Sequence, residues 1–132
     1  YYGGRVETSA FVVADTAIAG RYGDTLVALR HALASGADPV PLVAAIASKL
    51  RTMARVAGHR ESSSALAARL GLKDWQVDRA RRDLSGWNET TLGMAIQAAA
   101  RADSEVKGAS RDPVFAVERL VTVIATRSPF GQ

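Results

Sequence analysis

Two histidines, His31 and His59, the serine run Ser62, Ser63 and Ser64, and the carboxylates Asp15, Asp103 and Glu105 are the residues whose types could carry chemistry. A metal site needs several ligands converging on one point, and neither histidine has a second histidine or a carboxylate on the same helical turn. Both rings therefore read as surface or packing groups. A serine nucleophile needs a base and an oxyanion hole. The three serines instead crowd a helix start, where hydroxyls accept free backbone N–H groups, and they read as caps. A phosphate-gripping loop needs closely spaced glycines leading into a helix, usually with Lys-Ser or Lys-Thr. The nearest run, Tyr1-Tyr2-Gly3-Gly4, lacks the lysine and any preceding strand. Asp103 falls near the apolar face of its helix, where an ion needs a partner, and Lys107 four residues on can supply it. No catalytic, cofactor or metal residue is expected.

The arginines raise a different possibility. Ser63 to Leu84 has the outline of a helix-turn-helix, with Gly71 at the turn and Arg79, Arg81 and Arg82 on the second helix, which could enter a major groove. Asp74, Asp78 and Asp83 share that helix and would repel phosphate, and Trp75 is bulky for a base-reading position. A DNA-binding regulator is thus the alternative reading. The formal net charge is +4, but it is spread along the chain with no basic arm. Scattered arginines of this kind commonly solvate helical surfaces.

A chain of 132 residues fits one domain with a sizeable core. With no cysteine there is no disulfide framework or thiolate metal site, which agrees with a reducing cytoplasm. No apolar run approaches the ~20 residues that cross a bilayer. The first residues carry no signal-sequence pattern, and the absence of an initiator methionine suggests an excised fragment.

Helical periodicity positions everything above. Phe11, Ala14 and Ile18 form one face, Leu26, Leu29 and Leu33 a second, and Leu42, Ile46, Leu50, Met53 and Ala57 a third. Gly20 and Gly23 interrupt the first pair, Gly36 ends the second helix, and Asp38-Pro39 caps the third. The polar stretch Ala57 to Ser64 divides the domain. Beyond it the pattern predicts a short helix from about Ser64 to Leu70 and another from Lys73 to Leu84. A long one follows, capped by Asn88, with Leu92, Ile96, Ala99, Ala100 and Asp103 roughly in line. Asp112-Pro113 opens a last helix with Val114, Val117, Leu120, Val121 and Ile124, and Pro129 and Gly131 mark a tail. The expectation is an all-α fold, a single compact bundle of six or seven helices, with residues 1–10 ending a preceding linker, 11–127 forming the domain and 128–132 the tail. No stretch alternates as a strand would.

In order and spacing, these segments resemble the C-terminal domain of the delta subunit of bacterial DNA polymerase III. Phe11, Asp15, Ala17 and Gly20 fit that family's Phe-x-x-x-Asp-Ala helix and following glycine, with Thr16 in place of a small apolar residue. Ala28-Leu29, Leu33, Gly36 and Pro39 echo its Ala-Leu-x-x-Leu and Gly-x-x-Pro, slightly displaced, and Leu50-Arg51 its next helix end. Leu70-Gly71, Trp75 and Val77, then Ala102-Asp103 with Lys107-Gly108, complete a match from about Phe11 to Arg127.

The resemblance implies a helical collar of a sliding-clamp loader, packed beside the other clamp-loader subunits and meeting DNA only indirectly, through the complex. It implies a cytoplasmic setting, with no membrane and no small-molecule substrate. The family's ATPase-like domains and clamp-opening element lie before this segment, so this part is expected neither to hydrolyse ATP nor to open the clamp. Contact positions for sister subunits are expected at Trp75, Arg79, Arg82, Trp87 and Lys107.

Overall fold

The computed structural model describes residues 2–109 and 111–129, so Gly131 of the expected tail lies outside the described residues. The elements are α1 (Tyr2–Ile18), α2 (Tyr22–Ala34), α3 (Pro39–Val56), α4 (Ser63–Leu70), α5 (Asp74–Asp83), α6 (Glu89–Ser104), a wider π-type turn over Glu105–Ala109, and α7 (Pro113–Thr126). No strand occurs among the described residues. The all-α bundle expected from periodicity is what forms, and helix α1 reaches back to Tyr2, through residues where a linker was expected.

Helix α3 is the axle. Its Leu42, Val43, Ile46, Leu50 and Met53 are at most 1% exposed, as the three-and-four spacing predicted, and it touches α1, α5, α6 and α7. Each such side chain contributes about 1.5–3 kcal/mol by leaving water. The helix starts where the sequence said it would. Asp38 Oδ1 accepts the Val40 N–H at 2.9 Å and Pro39 occupies the first turn, where its missing N–H costs nothing.

Helices α1 and α2 form a hairpin, with α1 packed on this axle and α2 on α7. On α1 the buried arc is Ala10, Val13, Ala14, Ala17 and Ile18, while Phe11 is 59% exposed. Phe11 therefore does not share the inward face with Ala14 and Ile18, as the spacing had suggested. Small alanines let α1 approach its neighbours closely, and an aromatic ring would hold them apart. Phe11 instead lies over a slot lined by Ala37, Pro41 and Ala45. Gly20, with φ of +80°, makes the turn out of α1, and Gly36, with φ of +97°, closes α2 as predicted. Gly23 lies inside α2 rather than between the helices.

A second, smaller core belongs to α4 and α5. Leu66, Ala67, Val77 and Ala80 close over Val56 at the end of α3, apart from the main core. The cap of α4 is Ser62, whose hydroxyl accepts from Ala65 N at 3.2 Å, so the helix begins at Ser63, a residue earlier than expected. Gly71 in the left-handed region ends it. Asn88 and Thr91 cap α6 reciprocally, each side chain accepting the other's backbone N–H. On α6 the buried line is Leu92, Ala95, Ala99 and Ala102, with Ile96 and Asp103 half-buried and Ala100 facing solvent. Ala100 sits about 100° round the helix from Ala99, which takes it off the buried arc. Asp112 Oδ1 accepts from Phe115 N and starts α7, where Val117, Leu120, Val121 and Ile124 are buried and Val114 is exposed.

Candidate partner-contact faces

The five expected contact residues divide by what already holds them. Arg79, on α5, donates to Asp15 Oδ2 on α1 at 2.6 Å and lies 3.7 Å from Asp83. Asp15 also accepts from Lys49 of α3, and Lys49 reaches Asp83 at 3.2 Å. Two carboxylates and two cations thus alternate in one cluster that joins α1, α3 and α5. Lys49 and Asp83 are its most enclosed members, with side chains 17% and 15% exposed.

Trp87 is held as firmly. Its indole Nε1 donates to Ile18 O at 3.0 Å, and the Arg127 guanidinium lies 3.8 Å from the ring centroid, a cation–π distance. Arg127 also donates to Ile18 O at 2.6 Å, to Ala17 O at 3.2 Å and to Ile124 O at 2.8 Å. One side chain satisfies the carbonyls left over at two helix ends. Burial pushes the Arg127 pKa below its ordinary value. Lys107 pairs with Asp103 at 3.0 Å, the ion pair that their spacing of four predicted.

Trp75 and Arg82 remain. Both are exposed, and at a spacing of seven they share the outward face of α5. The Trp75 side of that helix is turned away from the small core, with Trp75 63% exposed. Arg82 makes no ion pair with any described residue.

The family model of the DNA polymerase III delta subunit, C-terminal domain, matches residues 7–124. This chain belongs to that family. Among solved structures, the chain is similar to the Bacillus subtilis DNA clamp loader delta protein at 18% identity and a TM-score of 0.78, over 91% of this chain. That likeness speaks for the shared fold, and the chain spans 36% of that protein's length. No curated protein matches the chain.

In this delta C-terminal domain, the helix-turn-helix outline folds into α4 and α5, but two of its three arginines are otherwise engaged. Arg79 is in the ion cluster, and Arg81 donates to Glu61 O at 2.6 Å, His59 O at 3.3 Å and Ser63 Oγ at 3.1 Å. Of the three, Arg82 alone is free to reach a phosphate, and nothing favours the DNA-binding regulator. Among the described residues no group of three or more His, Asp or Glu could hold a metal ion, and no helix is long and apolar enough to cross a membrane.

Glu105, weighed in the sequence as a possible acid or base, accepts from Arg119 of α7 and lies 3.5 Å from Arg101. The Arg119 hydrogen bond, helped by the charges of Arg119 and Arg101, holds its carboxyl below the ordinary 4.5 against the opposing effect of burial. A depressed native pKa stabilises the fold fully above the unfolded value and loses that contribution as pH falls through the native one. Glu105→Gln is expected to cost about 1 kcal/mol at pH 7, with the deficit vanishing as both proteins are acidified below that native value. Urea unfolding at stepped pH measures it, and a deficit that persists undiminished in acid would assign the loss to packing.

Two residues of the domain that sequence reasoning missed are Lys49 and Arg127. Lys49 gave one weak signal, as the lone charge between Asp38 and Arg51. Arg127 gave none, since its partners are backbone carbonyls of a helix more than a hundred residues earlier.

Proposed function

We propose that this domain holds a delta subunit in the clamp-loader assembly by contact with the other subunits, and that it performs no catalysis of its own. DNA is then met through the complex, in the cytoplasm. The observation that carries the contact face is the 63% exposed Trp75, two helical turns from the unpaired Arg82. An indole left in water is unfavourable unless something covers it, and Trp and Arg are the residues that most often dominate binding energy at protein interfaces. Arg79 contributes by fixing α5 to α1 rather than by reaching out. Trp87, held by Ile18 and Arg127, and Lys107, paired with Asp103, lie away from that face.

Titrating the domain with each of the other loader subunits tests this directly. Trp75→Ala and Arg82→Glu are each expected to weaken binding about tenfold or more, with unfolding transitions unchanged because neither side chain is in a core. Duplex DNA at two salt concentrations should bind weakly in both. Unimpaired subunit binding by both variants would remove the face, and tight, strongly salt-dependent DNA binding would remove the assembly role.

A further inference from the structure

The stretch between Gly58 and Gly86 is tied closely to itself. Arg81 of α5 donates to the carbonyls of His59 and Glu61, Arg69 of α4 donates to the Glu61 carboxylate at 2.6 Å, and the Ser63 hydroxyl donates to Asp78. Helix α4 packs chiefly on α5, and Leu66, Ala67, Val77 and Ala80 make a core of their own. From Trp87 onward the chain is anchored to the main body again, through Ile18 and Arg127. Both boundary residues are glycines with left-handed backbone, φ of +81° at Gly58 and +82° at Gly86, and nothing packs within 4 Å of where a Cβ would stand. A left-handed residue serves to end a helix, and bare surroundings also leave the chain free to rotate there. Contacts from this lobe to the body are of two kinds. The apolar residues shared between the two cores, Val56 and Leu84, stand two positions from the glycines, where a rotation moves them least, and the Lys49–Asp83 pair lies beside Leu84. Further out are the Asp15–Arg79 pair and the bond from the Arg55 guanidinium to Leu70 O at 2.5 Å.

We propose that residues 59–85 form a hinged lobe that swings as one body about Gly58 and Gly86 and is latched by the Asp15–Arg79 and Arg55–Leu70 contacts. Opening the latch strands no charge. Arg79 keeps Asp83, 3.7 Å away on its own helix, and Asp15 keeps Lys49. Arg55 and the Leu70 carbonyl meet at the surface and exchange each other for water. Part-exposed polar ties of this kind contribute little net stability, whereas the small core travels with the lobe and is not opened. The swing therefore needs far less than unfolding does, and it belongs with hinge motions of packed units. Its consequence is directional. The exposed Trp75 and Arg82, both on α5, are re-aimed relative to the main body, whatever covers them.

The chain has no cysteine, so spin labels can be placed at Asp74→Cys on the lobe and Ala100→Cys on α6, both exposed positions. Pulsed dipolar spectroscopy then reads their separation in the whole chain. One dominant distance is expected, and adding Asp15→Asn with Arg55→Met should raise the share of a second distance about threefold or more. Amide protection of Ala67 and Ala80, inside the lobe, should change by less than about twofold. Gly58→Asn with Gly86→Asn keeps the left-handed backbone but restricts it, and should shrink the second share again. If the chain without its latch keeps the original distance distribution, the lobe is fixed by Val56 and Leu84 and the proposal is overturned. A second distance that comes with loss of the Ala67 and Ala80 protection overturns it equally, because the lobe is then melting rather than turning. A second share undiminished by the two asparagines takes the pivot away from the glycines and overturns the hinge as assigned.

Discussion

Trp87→Ala is expected to lower the unfolding free energy by about 3 kcal/mol. Three losses combine. The half-buried indole leaves a gap against Leu84 and the main core, Ile18 O loses one of its two donors, and Arg127 loses the ring it stacks on. The third loss is amplified by position, because Arg127 holds the ends of α1 and α7 together and its αL backbone, with φ of +53°, is strained for a residue other than glycine. A series separates the contributions. Trp87→Phe keeps a ring under the guanidinium and most of the packing but cannot donate to Ile18, so about 1–1.5 kcal/mol should be lost. Arg127→Met keeps apolar contact with the indole and leaves the Ala17 and Ile124 carbonyls without this donor, which should cost about 2 kcal/mol. If Trp87→Ala and Arg127→Met together cost no less than the sum of the singles, the two side chains act independently and the stacked arrangement contributes nothing of its own.

How much of this was legible in the sequence follows from which interactions are local. Asp38-Pro39, Asn88 and Asp112-Pro113 announced their helices because a cap acts within three residues, so the side chain and the N–H it satisfies stand in the same short phrase. The face of α3 was equally plain, since Leu42, Ile46, Leu50 and Met53 are apolar and packed on several sides. The Asp103–Lys107 pair was readable for the same reason of proximity. Phe11 was misassigned to the interior because periodicity ranks residues by apolarity and not by size, and the interior of α1 is built of alanines that admit no ring. The surroundings of the expected contact positions were harder still. Sequence could propose Trp75, Arg79, Arg82, Trp87 and Lys107 as a set. It could not tell that Arg79 meets Asp15, 64 positions away, or that Trp87 meets Ile18, 69 positions away. Those pairings exist only once α1 has been folded against α5 and the start of α6.

The cluster around Lys49 sets how firmly α5 is held, and its removal is the second large expected effect. Lys49 lies between Asp15 and Asp83, and its ammonium is mostly shielded from water by α1, α3 and α5. Lys49→Met preserves the length and packing of the stem and deletes only the charge, leaving two carboxylates with Arg79 as the one cation between them. Arg79 is more exposed, at 42%, and its contact to Asp83 is long at 3.7 Å, so it compensates poorly. Taking away one partner of a largely enclosed ion pair costs more than the pair is worth, because the group left behind stays desolvated. The expected loss is about 2 kcal/mol at pH 7. Adding Asp83→Leu to Lys49→Met should restore at least half of it, since the stranded charge is then gone. The loss should also be uneven. The small core of α4 and α5 is joined to the rest through Val56, Leu84 and this cluster, so amide hydrogen exchange in Asp74–Asp83 is expected to accelerate more than in Leu42–Met53. Since Trp75 and Arg82 ride on α5, the same variant should weaken binding of a sister subunit although Lys49 lies on another helix. Uniform acceleration of exchange, with binding untouched, would mean that α5 is positioned by its apolar contacts alone.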